Sequence, residues 1–158
     1  MNKKIIGILM AISGGIAGAL SVGKIMSDKL IHKQRISDKH FQLFMLMNQW
    51  VRVKQEGKNL ASYFEQRGYK EIAIYGMHSA GETLVEELRK SNIKIKYGID
   101  KNAEKIYADF DVVTPEELLD DVDVIVVTSI TFFEEVKEIL KNRVGCPIVS
   151  LEDIIELV

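Results

Sequence analysis

From Ile72 to Leu157 the apolar positions fall into short blocks that alternate between two periods. Ile72–Tyr75 and Val122–Thr128 are nearly continuous apolar runs, as expected of strands covered on both faces; Ile95–Ile99, Val112–Val113 and Ile148–Val149 are shorter blocks of the same kind. Between them, Glu82–Lys90, Pro115–Leu119, Thr131–Lys141 and Leu151–Leu157 read as helices. Thr114 with Glu117 has capping-box spacing and Pro115 at the first helical position, and Thr131 with Glu134 repeats that spacing. Strands and helices taking turns predict an α/β fold: a Rossmann-like parallel sheet of about five strands, order 3-2-1-4-5, with helices on both faces.

Upstream the period changes. Residues 27–66 contain one glycine and no proline, and Phe41, Leu43, Phe44, Leu46, Met47, Trp50, Val51 and Val53 give a helix with a wide apolar face. Gly57 ends it, Leu60–Phe64 opens a second helical stretch, and Gly68 is placed to cap that stretch. The aromatic and methionine stripe is expected to pack against the following domain or against a partner copy.

Further upstream, Ile5–Gly23 is nineteen residues without a charge. As a helix at ~1.5 Å per residue it reaches about 28 Å, close to the thickness of a bilayer's hydrocarbon core. The expected division is therefore a transmembrane anchor over 1–26, a helical juxtamembrane linker over 27–66 and a Rossmann-like domain over 67–158. Lys3-Lys4 before the run and Ala17-Gly18-Ala19 within it also match a cleaved signal peptide, but the run continues apolar past that site. Lys24, Lys29, Lys33, Arg35 and Lys39 follow the run, more cations than precede it. This bias places a single-pass chain in the cytoplasmic membrane with its C-terminal domain in the cytoplasm, and lets the cations meet anionic lipid. Gly7, Ala11, Gly15, Ala19 and Gly23 recur every fourth residue, a small-residue face suited to self-association in lipid.

Composition narrows the chemistry. The 158 residues carry a net charge of −2, but residues 1–66 hold ten Lys/Arg against four acids while 67–158 hold eleven against nineteen. An acidic domain without a basic cluster does not suit nucleic acid. One cysteine, Cys146, excludes an internal disulfide and a cysteine metal site, and reads as a small buried hydrophobe. Asp120, Asp121 and Asp123 are consecutive or nearly so, and read as a solvated face rather than a metal site.

The stretch from Trp50 onward, with "WVRVKQEGKNLASYFEQRGYKEIAIYG", "KYGIDKN", "VVTPEEL" and "DVIVVTSITFFEEVKEIL", resembles the small NAD(P)-binding-type Rossmann domains of bacterial surface-polysaccharide and nucleotide-sugar proteins. It is similar also to the nucleotide-sugar-binding first domain of some sugar acetyltransferases. The resemblance implies a nucleotide ligand such as NAD and partners among polysaccharide-assembly proteins.

The candidate chemistry lies after the first strand. In G-x-G-x-x-G the first glycine makes the turn, the second admits the pyrophosphate and the third allows close helix packing. Gly76 and Gly81 fill the outer places, and His78 fills the middle one, where its ring crowds a phosphate or, protonated, donates to it. Ser79 with Glu82 has capping-box spacing, which would satisfy the helix start internally. Asp100, nineteen residues after Gly81, stands where an acid binds ribose hydroxyls, although Asp-Lys-Asn is also ordinary turn chemistry. A bound nucleotide would meet the backbone of Gly76, Met77, Ser79 and Gly81, His78 as donor, Asp100 at the ribose, and Thr128 and Ser129 as floor. No acid, base or nucleophile converges with these and no substrate domain is present, so no catalytic residue is assigned. The reading is a membrane-tethered nucleotide-binding or degenerate nucleotide-binding module, accessory or regulatory in surface-polysaccharide assembly. An oxidoreductase subunit completed by a partner chain, or a structural adaptor, are the alternatives.

Overall fold

The computed structural model describes residues 30–158. The anchor expected over 1–26 and the face Gly7, Ala11, Gly15, Ala19 and Gly23 lie outside them. Among the described residues no helix is long and apolar enough to cross a membrane. Two compact units divide the chain, 1–41 and Gln42–Val158.

Helix α1 is continuous over 30–55. It is followed by α2 (Ala61–Arg67), β1 (Glu71–Tyr75), α3 (Ser79–Leu88), β2 (Lys94–Ile99), β3 (Val112–Val113), β4 (Val124–Val127), α4 (Phe133–Leu140), β5 (Ile148–Ser150) and α5 (Leu151–Leu157). The five strands form one parallel sheet in the order β3-β2-β1-β4-β5, the Rossmann-like arrangement read from the alternation.

Successive strand residues face opposite sides, so each central strand feeds two cores. Ile72 and Ile74 of β1 and Val124 and Val126 of β4 pack with α2, α3, α5 and the later part of α1; Ala73, Tyr75, Ile125 and Val127 pack with Val136 and Leu140 of α4. Leu46, Trp50, Val53, Leu60 and Phe64 are buried in the first of these cores, and the compact unit accordingly starts at Gln42. Gly68, in the left-handed region at φ 73°, caps α2 as its position suggested.

The helix expected over Pro115–Leu119 is not formed: residues 115–117 are a turn and Leu118 is exposed. Half of the capping box is present, because the Glu117 carboxylate accepts the Thr114 amide at 2.7 Å. The carbonyls of Pro115, Glu116 and Glu117, which a helix would offer to later amides, are taken instead by the Arg143 guanidinium after α4. The expected box at Thr131 and Glu134 is also absent. Residues Ile130–Phe132 make a 3-10 turn, and α4 starts at Phe133 with no side-chain cap.

The acidic trio before β4 does more than face solvent. Asp123 Oδ2 accepts the amides of Lys70 and Glu71 at 2.7 and 2.8 Å, fixing the entry to β1. The carbonyls of Asp120 and Asp121 accept the Tyr97 hydroxyl and the Lys96 ammonium at 2.7 and 2.9 Å. Burial pushes the Tyr97 phenol up to about 12. Cys146 is half-buried against the second core, not fully buried as expected of it, and burial raises its thiol.

The Glu71 and Lys70 amides hold the Asp123 carboxyl below the usual carboxylate range. A group depressed on folding contributes in full above its unfolded value of about 4 and loses that contribution as the pH falls through the folded value. Asp123→Ala should therefore lower the urea midpoint at pH 7 and narrow the difference between pH 7 and pH 3. An unchanged difference would mean that the carboxylate is not what holds those amides.

Candidate functional site

The chain leaves β1 at Tyr75 and turns at Gly76, whose φ of 95° is a conformation that side chains disfavour. Every polar group of the turn up to Met77 that has a described partner is held from a neighbouring strand end. Gly76 N donates to Ile99 O at 2.8 Å, and Met77 N donates to Asp100 Oδ2 at 2.9 Å. The Thr128 hydroxyl donates to Gly76 O at 2.5 Å, with Tyr75 O a longer neighbour at 3.2 Å. Asp100 and Thr128 are both buried, and each braces the turn. Gly81 lies against the same carbonyl: a Cβ there would meet Gly76 O at 2.2 Å. The outer two glycines of the fingerprint thus perform their expected steric roles.

The helix start differs from expectation. Its N-cap is His78, in extended backbone, rather than Ser79, and no side chain caps it. Ser79 is the first helical residue, its carbonyl accepting the Thr83 hydroxyl at 2.7 Å, so the expected Ser79–Glu82 box is not made. The first intrahelical bond is Glu82 N to His78 O at 2.9 Å. A helix leaves its first N–H groups without intrahelical acceptors, so the amides from His78 to Gly81 form an uncapped start that favours an anion.

Met77 is buried against Gly98, whereas the His78 and Ser79 side chains are exposed. His78 stands on the rim shared by two hollows at the C-terminal edge of the sheet. The first, about 260 Å³, is lined by Gly76, His78, Asp100, Asn102, Ser129 and Phe132 among others. The second, about 510 Å³, is lined by Met77, His78, Glu82, Asn102, Lys105 and Tyr107 among others. The first opens between the ends of β1 and β4, where the strand order reverses and open α/β sheets take their ligands. A further hollow of about 520 Å³ lies between α1 and α3, away from this edge, and is mostly apolar.

The structure brings Gly76, His78, Asp100 and Ser129 together around one hollow, while Thr128 serves as a brace beneath the turn instead of a floor. Asp100 is engaged as well. Its Oδ1 accepts the Asn102 amide at 2.9 Å while its Oδ2 holds Met77. A carboxylate has about four acceptor positions, and these two amides use about half of them. Burial, with the Asp100 charge next, raises the Tyr75 phenol at the same edge.

Asn102, Lys105, Tyr107 and Phe132 also line the edge, and their contribution was not legible from the chain order. The signal available was topological: the loop after β2 and the 3-10 turn after β4 must both end beside the glycine turn. Lys101 and Lys105 supply the cations that the segment from Tyr75 to Leu88 lacks, against Glu82 and Glu135. Tyr97 and Lys101 are four residues apart, but Tyr97 lies on β2 and its hydroxyl donates to Asp120 O. Among the described residues no three His, Cys, Asp or Glu could hold a metal.

A family described as C2185-like, N-terminal, matches residues 68–149. No curated protein matches the chain. A solved structure, a chorismate mutase/shikimate 5-dehydrogenase fusion protein from Clostridium acetobutylicum, is similar at 15% identity and a TM-score of 0.43. The likeness covers 61% of this chain and 49% of that one, so the chain spans about half of that protein's length.

Proposed function

The chain belongs to the C2185-like, N-terminal family through residues 68–149, and from that premise we propose that its Rossmann-like domain binds a nucleotide without transforming it. The observation that carries this reading is the uncapped start of α3, placed by Gly76 beside the hollow where the strand order reverses. A phosphate meets the amides from His78 to Gly81, helped by the exposed imidazole of His78 and by Lys101 or Lys105. The free acceptor positions of Asp100 take ribose hydroxyls, and Ser129 and Asn102 line the remaining polar wall. The role proposed for this edge is recognition, and no catalytic residue is assigned to it.

The wider setting is carried by the sequence. The uncharged run Ile5–Gly23 supports a single-pass anchor in the bacterial cytoplasmic membrane, and the resemblance of the domain supports an accessory or regulatory place in surface-polysaccharide assembly. NAD and nucleotide sugars are the ligand classes this setting offers.

The test is the melting temperature of the full chain with NAD, NADP, nucleotide sugars and coenzyme A, repeated in His78→Gly. A ligand at ~100 times its dissociation constant adds about 2.7 kcal/mol, which is a shift of several degrees in a domain of this size. A shift in the native chain supports binding with His78 as part of the site. A response confined to His78→Gly would mean that the imidazole closes the pocket, and no response in either would leave the fold as a scaffold.

A further inference from the structure

The hollow of about 260 Å³ where the strand order reverses has two unlike walls. One is polar and comes from the strand ends: Asp100, Asn102 and Ser129. The other is apolar. Phe132, just before α4, and Val136 and Ile139 on it are spaced by four and three residues, so they fall on one side of the helix. Val136 is buried in the second core, whereas Phe132 is 43% and Ile139 49% exposed, so the stripe runs from the core out into the hollow as a ledge. An apolar ledge facing a few polar groups offers a face to a flat ring.

Glu135 stands beside Val136 and lines this hollow as well as its neighbour. It is exposed, and among the described residues it has no hydrogen bond or ion pair. An ionised carboxylate accepts and does not donate. We propose that the ledge stacks the nucleobase and that Glu135 reads its edge, so that the site takes nucleotides whose base carries an amino group and rejects uracil and thymine. Adenine, cytosine and guanine each offer amino N–H groups to an acceptor. Uracil and thymine instead set carbonyl oxygens on either side of a single N–H, and those oxygens repel a carboxylate. This base assignment rests on phosphate binding at the start of α3. It divides the ligands that such binding admits, keeping NAD and the sugars of amino-bearing nucleotides and excluding those of uridine and thymidine diphosphate.

The test is the dissociation constant of the full chain for ADP, CDP, GDP and UDP, measured by calorimetry at one salt concentration. The tightest of the first three should bind about tenfold more tightly than UDP, the discrimination expected of one base-edge contact. Glu135→Gln should close most of that gap, because an amide donates as well as accepts and so meets the uracil carbonyls. Glu134→Gln, one residue earlier and lining only the neighbouring hollow of the two, should leave the gap intact. Ile139→Ser should weaken all four ligands by a similar factor, and unchanged affinities in that variant would remove the ledge as the stacking face. UDP bound as tightly as the others, or a preference that survives Glu135→Gln, overturns the base assignment and leaves phosphate binding at α3 standing. Binding of none of the four overturns both.

Discussion

Glu87→Ala should lower the stability of the chain by roughly 2–4 kcal/mol, while Glu86→Ala beside it should change little. The Glu87 side chain is only 7% exposed, yet it belongs to an amphipathic helix whose other acids face water. Its carboxylate accepts three donors from two other helical segments: Trp50 Nε1 at 2.6 Å, the Leu60 amide at 2.7 Å and Lys54 Nζ at 3.0 Å. Truncation leaves a buried indole N–H and a buried amide without acceptors, at about 1–3 kcal/mol each, and removes the fixed point between α3 and the segment that precedes β1. Glu87→Gln should cost less, because its carbonyl can keep two donors and loses one. Urea midpoints of the three variants measure this. Equal effects at positions 86 and 87 would remove Glu87 as the pin.

Gly81→Ala should destabilise by about 1–3 kcal/mol, although the same change inside a helix ordinarily gains about 1 kcal/mol. The added methyl would meet Gly76 O at 2.2 Å and Gly76 C at 3.2 Å, both backbone. That carbonyl cannot retreat freely, because the Thr128 hydroxyl holds it from β4. The helix must therefore withdraw from the turn, and its uncapped amides move with it. The variant should lose any nucleotide-induced rise in melting temperature along with stability. Gly145→Ala is the control, with nothing within 4 Å of its added methyl, and should be close to neutral.

These two sites show what the chain order reveals. Strands such as Ile72–Tyr75 declare themselves because burial on both faces needs an unbroken apolar run, and right-handed crossovers between parallel strands leave few sheet orders to choose from. Gly76 and Gly81 were legible because each role is steric and local. The Pro115–Leu119 helix was misread because the competitor for its carbonyls, Arg143, lies more than twenty residues away. The Ser79–Glu82 box was misread because the glycine turn makes His78 the N-cap, one residue before the position the motif implies. Asp100 was picked out by its place after the second strand, but that it holds Met77 and Asn102 depends on strand ends meeting in space. Glu87 left a usable trace: an acid three residues after Leu84 and one before Leu88 sits within the buried stripe of α3 and needs donors there.

The most direct measurement is amide hydrogen exchange of the full chain with and without saturating NAD or nucleotide sugar, resolved to peptides across residues 68–149. Binding at the proposed site predicts slowed exchange from His78 to Glu82 and in the loop after β2, with α1 unchanged. Exchange that is unaltered at His78–Glu82 while the ligand is bound elsewhere, or unaltered throughout, would contradict the assignment of the glycine turn as a phosphate site.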